Sequence, residues 1–230
     1  MQGPPEARVL ALWEAAADTS PLLRTLTLAA AGGAPSGGGA DLSIGQRDGY
    51  LLAMRQECFG STFACIVNCP ECGAELELEL TAADLAVRGG DRDRATLTVD
   101  GAVIEFRAIT SRDLLAVAGR PAARRDLIHR CITAGGAGPL PDSTLDQLSA
   151  AMAALDPQAD VSVEIDCAVC EHRWAAPFDI AGYLWAELNT HALRILREVH
   201  ELASLYGWSE AEVLAVSPAR RRRYLEMATS

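Results

Sequence analysis

Two short cysteine motifs, Cys69-Pro-Glu-Cys72 and Cys167-Ala-Val-Cys170, constrain this chain more than any other feature. Each offers two sulfurs at a spacing that one tight turn brings together. Four thiolates from two such turns complete a tetrahedral shell around zinc, with bonds of about 2.3 Å. The flanking residues repeat along with the cysteines. Phe63, Cys65 and Val67 alternate before the first pair, and Val161, Val163 and Ile165 before the second. Leu76, Leu78 and Leu80 follow the first pair; Trp174, Ala176 and Phe178 follow the second. Alternation on both sides of a turn predicts a β-hairpin. Two hairpins meeting turn to turn predict a zinc-ribbon-like body in which Cys69, Cys72, Cys167 and Cys170 hold one structural zinc per chain. Ninety-four residues separate Cys72 from Cys167, against roughly 15–20 between the pairs of an ordinary ribbon. An inserted segment, 82–166, is therefore expected between the two knuckles.

Three other readings of the cysteines compete with a shared zinc site. A thioredoxin-like redox pair needs C-x-x-C at the head of a helix, whereas both pairs here fall in hairpin turns. Four unliganded thiols are the plainest alternative, and His172 is a substitute ligand two residues beyond Cys170. Cys58, Cys65 and Cys131 fall on apolar faces and read as small core residues. The N-terminus lacks a basic region followed by an apolar stretch, so the expectation is a reduced, cytoplasmic chain. No apolar run approaches the roughly 20 residues of a membrane span.

Charge narrows the function classes. The net charge is −11, yet His191–Ser230 carries six arginines and five glutamates, so that segment is +1 and the remainder −12. Nucleic-acid binding needs a basic field, and Arg220–Arg223 is the one basic run. Lysine is absent, which removes a phosphate-loop lysine or a Schiff base from consideration. No G-x-S-x-G, G-x-G-x-x-G or H-E-x-x-H is present, and His200-Glu201 lacks the second histidine of the last motif. Glu75, Glu77 and Glu79 read as the wet face of a strand. A closed four-cysteine site leaves no open coordination position, so a non-enzyme without a small-molecule substrate is expected.

The fold class expected is α+β: a ribbon-like pair of hairpins, an inserted hairpin-and-helix segment and a helical C-terminal region. The division expected is 1–40 (N-terminal helices and a Gly-rich linker), 41–180 (the ribbon body with insert 82–166) and 181–230 (C-terminal helices). Asp100-Gly101 predicts a type I′ turn. Asp179 caps a long helix from about 180 to 206, ended by Gly207. Ser209 with Glu212 is a capping box, and Ser217-Pro218 opens a last helix. Gly207 is expected to let the two short helices turn away from the body.

Several stretches share one order: Leu42-Ser-Ile-Gly-Gln-Arg-Asp48, the two C-x-x-C pairs, Trp185 in a helix, Leu205-Tyr-Gly-Trp-Ser-Glu-Ala-Glu-Val213 and Ser217-Pro-Ala-Arg-Arg-Arg-Arg-Tyr-Leu225. Together they resemble the baseplate hub assembly chaperone family of T-even-like phages and of phage-derived contractile injection systems. The resemblance implies an assembly factor or structural component of a contractile tail. It places the chain in the bacterial cytoplasm or in the assembled particle, with baseplate, hub, spike or tape-measure proteins as partners. Tyr206, Trp208, Arg220, Arg221, Tyr224 and Leu225 are the expected partner-binding residues, since Tyr, Trp and Arg dominate protein–protein hot spots. The alternative of a different class is a zinc-ribbon regulator that binds nucleic acid.

Overall fold

A computed structural model describes residues 6–35, 38–87, 92–136 and 138–228. The chain opens with α1 (Glu6–Ala17), α2 (Pro21–Ala31) and α3 (Ile44–Phe59). The first hairpin is β1 (Thr62–Asn68) and β2 (Glu75–Thr81), followed by the single turn α4 (Ala82–Leu85). Then come β3 (Arg94–Val99), β4 (Ala102–Arg107), α5 (Ser111–Val117), α6 (Ala123–Cys131), β5 (Ile132–Ala134) and α7 (Asp142–Leu155). The second hairpin is β6 (Ser162–Asp166) and β7 (Arg173–Pro177). Helices α8 (Ile180–Tyr206), α9 (Glu210–Ala215) and α10 (Pro218–Ala228) complete the order. The protein is therefore mixed helix and strand, with small antiparallel sheets and a helical C-terminal region. Among the described residues, no helix is long and apolar enough to cross a membrane.

The residues cluster into two units: Pro21–Ala181, and Met1–Ser20 with Gly182–Ser230. The expected division kept 1–40 together, but α1 clusters with the C-terminal helices and α2 with the larger unit. Within the expected Gly-rich linker, Ala34 is buried and a short 3-10 turn covers Gly39–Asp41. Ser36 and Gly37 of that linker, and residues 88–91 of the Gly- and charge-rich sequence 88–94, lie outside the described residues.

Within the larger unit the insert carries a core of its own. Ile104 and Phe106 of β4 meet Ile128 and Cys131 of α6 and Leu145, Leu148 and Met152 of α7. The β3–β4 turn is type I′, with positive φ at both Asp100 and Gly101. β5 was not expected. It pairs Ile132 with Phe106 and Ala134 with Glu105, extending a stretch that reads as the end of α6.

α3 anchors this insert to the rest of the unit. Its N-terminus carries a Ser43–Gln46 capping box, and Ile44 N donates to Ile109 O at 3.0 Å. Gly45 N donates to Asp156 Oδ2, beyond α7, at 2.8 Å. This contact needs glycine, because a Cβ on residue 45 would lie 2.1 Å from Asp156 Oδ1. Gly49, one turn along the same helix, meets nothing within 4 Å. The two glycines should therefore respond oppositely to alanine. Gly45→Ala is expected to cost about 3 kcal/mol, from overpacking and loss of a charge-assisted hydrogen bond, lowering Tm by roughly 6–12 °C. Gly49→Ala should instead stabilise by about 0.5–1 kcal/mol through helix propensity. Thermal denaturation of both variants checks this, and a stabilising Gly45→Ala would show that the close approach is absent.

Candidate metal centre

Each cysteine pair sits where its hairpin reverses. β1 and β2 pair from Thr62↔Thr81 to Asn68↔Glu75, and β6 and β7 from Ser162↔Pro177 to Asp166↔Arg173. The two reversals share one hydrogen-bond pattern. Cys69 N donates to Ala74 O and Gly73 N to Cys69 O, both at 2.9 Å. Cys167 N donates to His172 O and Glu171 N to Cys167 O, again both at 2.9 Å. The fifth residue of each knuckle takes a positive φ, +71° at Gly73 and +60° at Glu171. Sequence reading saw the cysteine spacing but not that Glu171 stands where the first knuckle uses glycine.

The knuckles face each other as a crossed pair. Cys69 Sγ lies 3.7 Å from Cys170 Sγ, and Cys72 Sγ lies 3.7 Å from Cys167 Sγ. All four sulfurs fall within 4.8 Å of one another. Bonds of about 2.3 Å at tetrahedral angles place ligand sulfurs about 3.8 Å apart, so the donor set fits a four-coordinate metal. A disulfide would need about 2.05 Å. The first cysteine of each pair is buried and the second exposed. At their other ends the hairpins meet through Phe63 and Phe178, edge to face at 5.9 Å. Arg55 lies 4.0 Å over the Phe63 ring.

The backbone favours thiolate at one position in particular. Val169 N donates to Cys167 Sγ at 3.4 Å, and backbone N–H groups of Cys170 and Val169 hold the Cys167 thiol down to about 7. Cys170 is pushed the other way, up to about 12. The His172 backbone N–H favours its thiolate, but burial and the three neighbouring sulfurs outweigh it. Four adjacent thiols resist joint ionisation, and a divalent cation removes that conflict by binding the thiolates directly. His172 lends the knuckle its carbonyl, and its ring stacks on Trp174 at 5.9 Å. Among the described residues, the group able to hold a metal comprises Cys69, Cys72, Cys167 and Cys170, without His172.

The other cysteines lie elsewhere. Cys58 and Cys131 are buried and Cys65 half-buried. Burial and the nearby Asp113 push the Cys131 thiol up to about 11, which makes it a poor nucleophile. Asp113 is a buried structural hub that sequence reading missed. Burial alone would raise its carboxyl, but Arg107, with contacts of 2.6 and 2.9 Å, and Thr110 hold it down to about 2. Its only sequence signal is the Thr110-x-x-Asp113 capping box.

The C-terminal residues form a cluster within their own unit. Gly207 has φ +69° and ends α8, but the chain does not turn away from that helix. Tyr206, Trp208 and Tyr224 pack as a knot with ring centroids 5.1–5.8 Å apart. Tyr206 Oη donates to Tyr224 O at 3.2 Å. Arg220 is exposed and reaches Tyr224 Oη at 3.4 Å, while Leu225 is half-buried. Arg221 departs from the partner-facing role expected of it. Its side chain is 0% exposed and fixed by Glu198 at 2.9 Å, Glu6 at 2.5 Å and Val216 O at 2.7 Å. This arginine ties α10 to α8 and α1, and sequence spacing gives no sign of a pair 215 residues apart.

No family model matches the chain, and no curated protein or solved structure matches it either.

Proposed function

We propose that this protein is a non-enzymatic assembly factor or structural component of a phage-tail or contractile-injection baseplate, stapled by one structural zinc. The observation that carries the metal is the crossed 3.7 Å spacing of four cysteine sulfurs on two matched hairpin knuckles. Tetrahedral sulfur-only donor sets suit zinc or iron, and the zinc-ribbon arrangement of paired knuckles favours zinc. A closed shell leaves no position for substrate, so the metal acts on the fold. The baseplate assignment rests on the resemblance carried by the two pairs and by Tyr206-Gly-Trp208 with Arg220–Leu225. The aromatic knot at the end of α8 offers large apolar rings with polar tips, a surface suited to protein contacts. The competing regulator would need a basic face, whereas the outward side of the first hairpin carries Glu75, Glu77 and Glu79.

Affinity purification from producing cells tests the assignment. A hub, spike or tape-measure protein should co-elute in stoichiometric amount, and Trp208→Ala with Arg220→Ala should remove it while the zinc content stays unchanged. Nucleic acid in the eluate without any tail protein would overturn the reading in favour of the regulator. The pairing of Trp208 with Arg220 follows from the structure, because Arg221→Ala would disturb packing instead of a contact surface.

A further inference from the structure

β3 is the outer strand of its sheet, and its free edge is regular. The strand order is β3–β4–β5, and β3 pairs with β4 from Arg94↔Arg107 to Val99↔Ala102 without a shift in register. One contact gives the direction of every backbone group along it. Ala108 N donates to Asp93 O at 3.1 Å, which marks Asp93 and Ala108 as a hydrogen-bonded pair. Such pairs alternate with non-bonded ones along an antiparallel ladder. Ala95, Leu97 and Val99 therefore bond to β4, while Arg94, Thr96 and Thr98 turn their N–H and C=O groups outward. Among the described residues, nothing pairs with the outward groups of Thr96 and Thr98.

Sheet edges are ordinarily blunted by proline, lysine, a bulge or an inward-pointing charge. Ala95-Thr-Leu-Thr-Val99 carries none of these. At the opposite edge β5 is three residues long and meets β4 across a register shift. The inner side of the β3 edge is open as well. A cleft of about 490 Å³ lies beside it, lined by Ala95, Thr96 and Phe106 of the sheet and by Ala151, Ala154 and Leu155 of α7. Two unsatisfied charges flank the edge. Arg94 stands opposite Arg107, whose guanidinium is already held by Asp113 at 2.6 Å. Asp100 stands in the turn that ends the strand. Among the described residues, neither Arg94 nor Asp100 forms an ion pair.

We propose that β3 of one copy pairs antiparallel with β3 of a second copy, about a two-fold axis at Leu97, joining the two sheets edge to edge. In this register Thr96 of each copy lies opposite Thr98 of the other, and each such pair exchanges both of its backbone hydrogen bonds. Arg94 meets Asp100 of the second copy at both ends of the contact. Val99 of the second copy comes to lie beside Ala95, on the face that looks into the α7 cleft. One strand sequence satisfies the outward backbone, the unpaired charges and the cleft together, which favours a second copy over a foreign strand. The contact is isologous and closes at a dimer. This pairing is independent of the baseplate reading, since it concerns copies of this chain alone.

Analytical ultracentrifugation and amide hydrogen exchange of the purified zinc-loaded chain test it, at about 1 and about 100 μM, a range that spans a micromolar contact. Mass should rise from monomer to dimer and no further. The Thr96 and Thr98 amides should exchange at least about threefold more slowly at the higher concentration, by mass action. The Leu97 amide, already bonded to β4, is the internal control. Thr98→Pro removes an outward N–H, a change sheet edges tolerate, and should weaken association at least about tenfold. Arg94→Asp sets like charges against each other and should weaken it at least about threefold. Unchanged circular dichroism and zinc content establish that each variant folds, and the exchange result on the unaltered chain decides the matter where one does not. A chain that stays monomeric at about 100 μM would overturn the pairing. So would a dimer whose Thr96 and Thr98 amides exchange as fast as in the monomer, assembly beyond the dimer, or association that a folded Thr98→Pro leaves unchanged.

Discussion

Cys69→Ser and Cys167→Ser should each abolish metal binding entirely, leaving a chain that melts in two stages. Both pairs feed one cluster, with sulfurs from different hairpins 3.7 Å apart. Neither pair alone supplies four ligands, so loss of one sulfur from either should remove the metal. Structural zinc contributes about 10–16 kcal/mol in small zinc-finger peptides at neutral pH, a sum comparable to the whole stability of an ordinary domain. The two hairpins have two strands each, and isolated hairpins are marginal in water. Without the metal, only weak contacts such as Phe63 against Phe178 and Gln158 against Leu85 are left to hold them together. The insert differs, since Ile104, Phe106, Leu145 and Leu148 pack on one another. Chelation should therefore melt β1–β2 and β6–β7 first while the insert keeps its helices.

Elemental analysis checks the stoichiometry, with about one zinc per chain expected. Visible absorbance separates the metals, because iron in a four-sulfur shell is coloured and zinc is not. Hydrogen exchange after chelation locates the first segment to open. Two metals per chain, or metal retained by one pair after loss of the other, would refute the shared centre. So would a melting profile unchanged by chelation.

What the sequence made legible was local. The C-x-x-C turns, the Asp100-Gly101 turn and the Ser209–Glu212 box each place all their determinants within a few residues, so spacing alone reveals them. Alternation in β1, β2 and β6 marked their inner faces for the same reason. The features that escaped are contacts between distant parts of the chain. Gly45 looks like an ordinary helix-weakening glycine until Asp156 is found against it. β5 is three residues long and reads as the tail of α6 until β4 offers it a partner. Ser43 with Gln46 is an intermediate case: the capping-box pattern stands in the sequence, and the structure uses it to start α3 at Ile44. Arg220–Arg223 shows the limit most clearly. Four identical residues in a row look equivalent in sequence, yet helical geometry sends Arg221 inward and leaves the other three exposed.

That distinction yields the second large effect. Arg221→Ala should destabilise the unit built from α1, α8, α9 and α10 by about 3 kcal/mol, because it strands Glu6 with little access to water and leaves Glu198 only its pair with Arg194. Arg220→Ala, one residue earlier and exposed, should stay within about 0.5 kcal/mol. Charge alone does not explain the network. The guanidinium fork reaches two carboxylates and the Val216 carbonyl at once, and an ammonium cannot reproduce that planar geometry. Arg221→Lys should therefore recover only part of the loss. Removing every charge together is the informative control. Arg221→Met with Glu6→Leu and Glu198→Leu should restore most of the stability, since well-packed apolar groups often equal a buried ion network. Denaturation of the five chains, with hydrogen exchange read at α10, measures these differences. If Arg221→Ala proves as mild as Arg220→Ala, α10 is not held by this network and the inward assignment of Arg221 fails. If the triple apolar variant is worse than Arg221→Ala, the charges contribute more than their pairing, and the burial argument has the wrong sign.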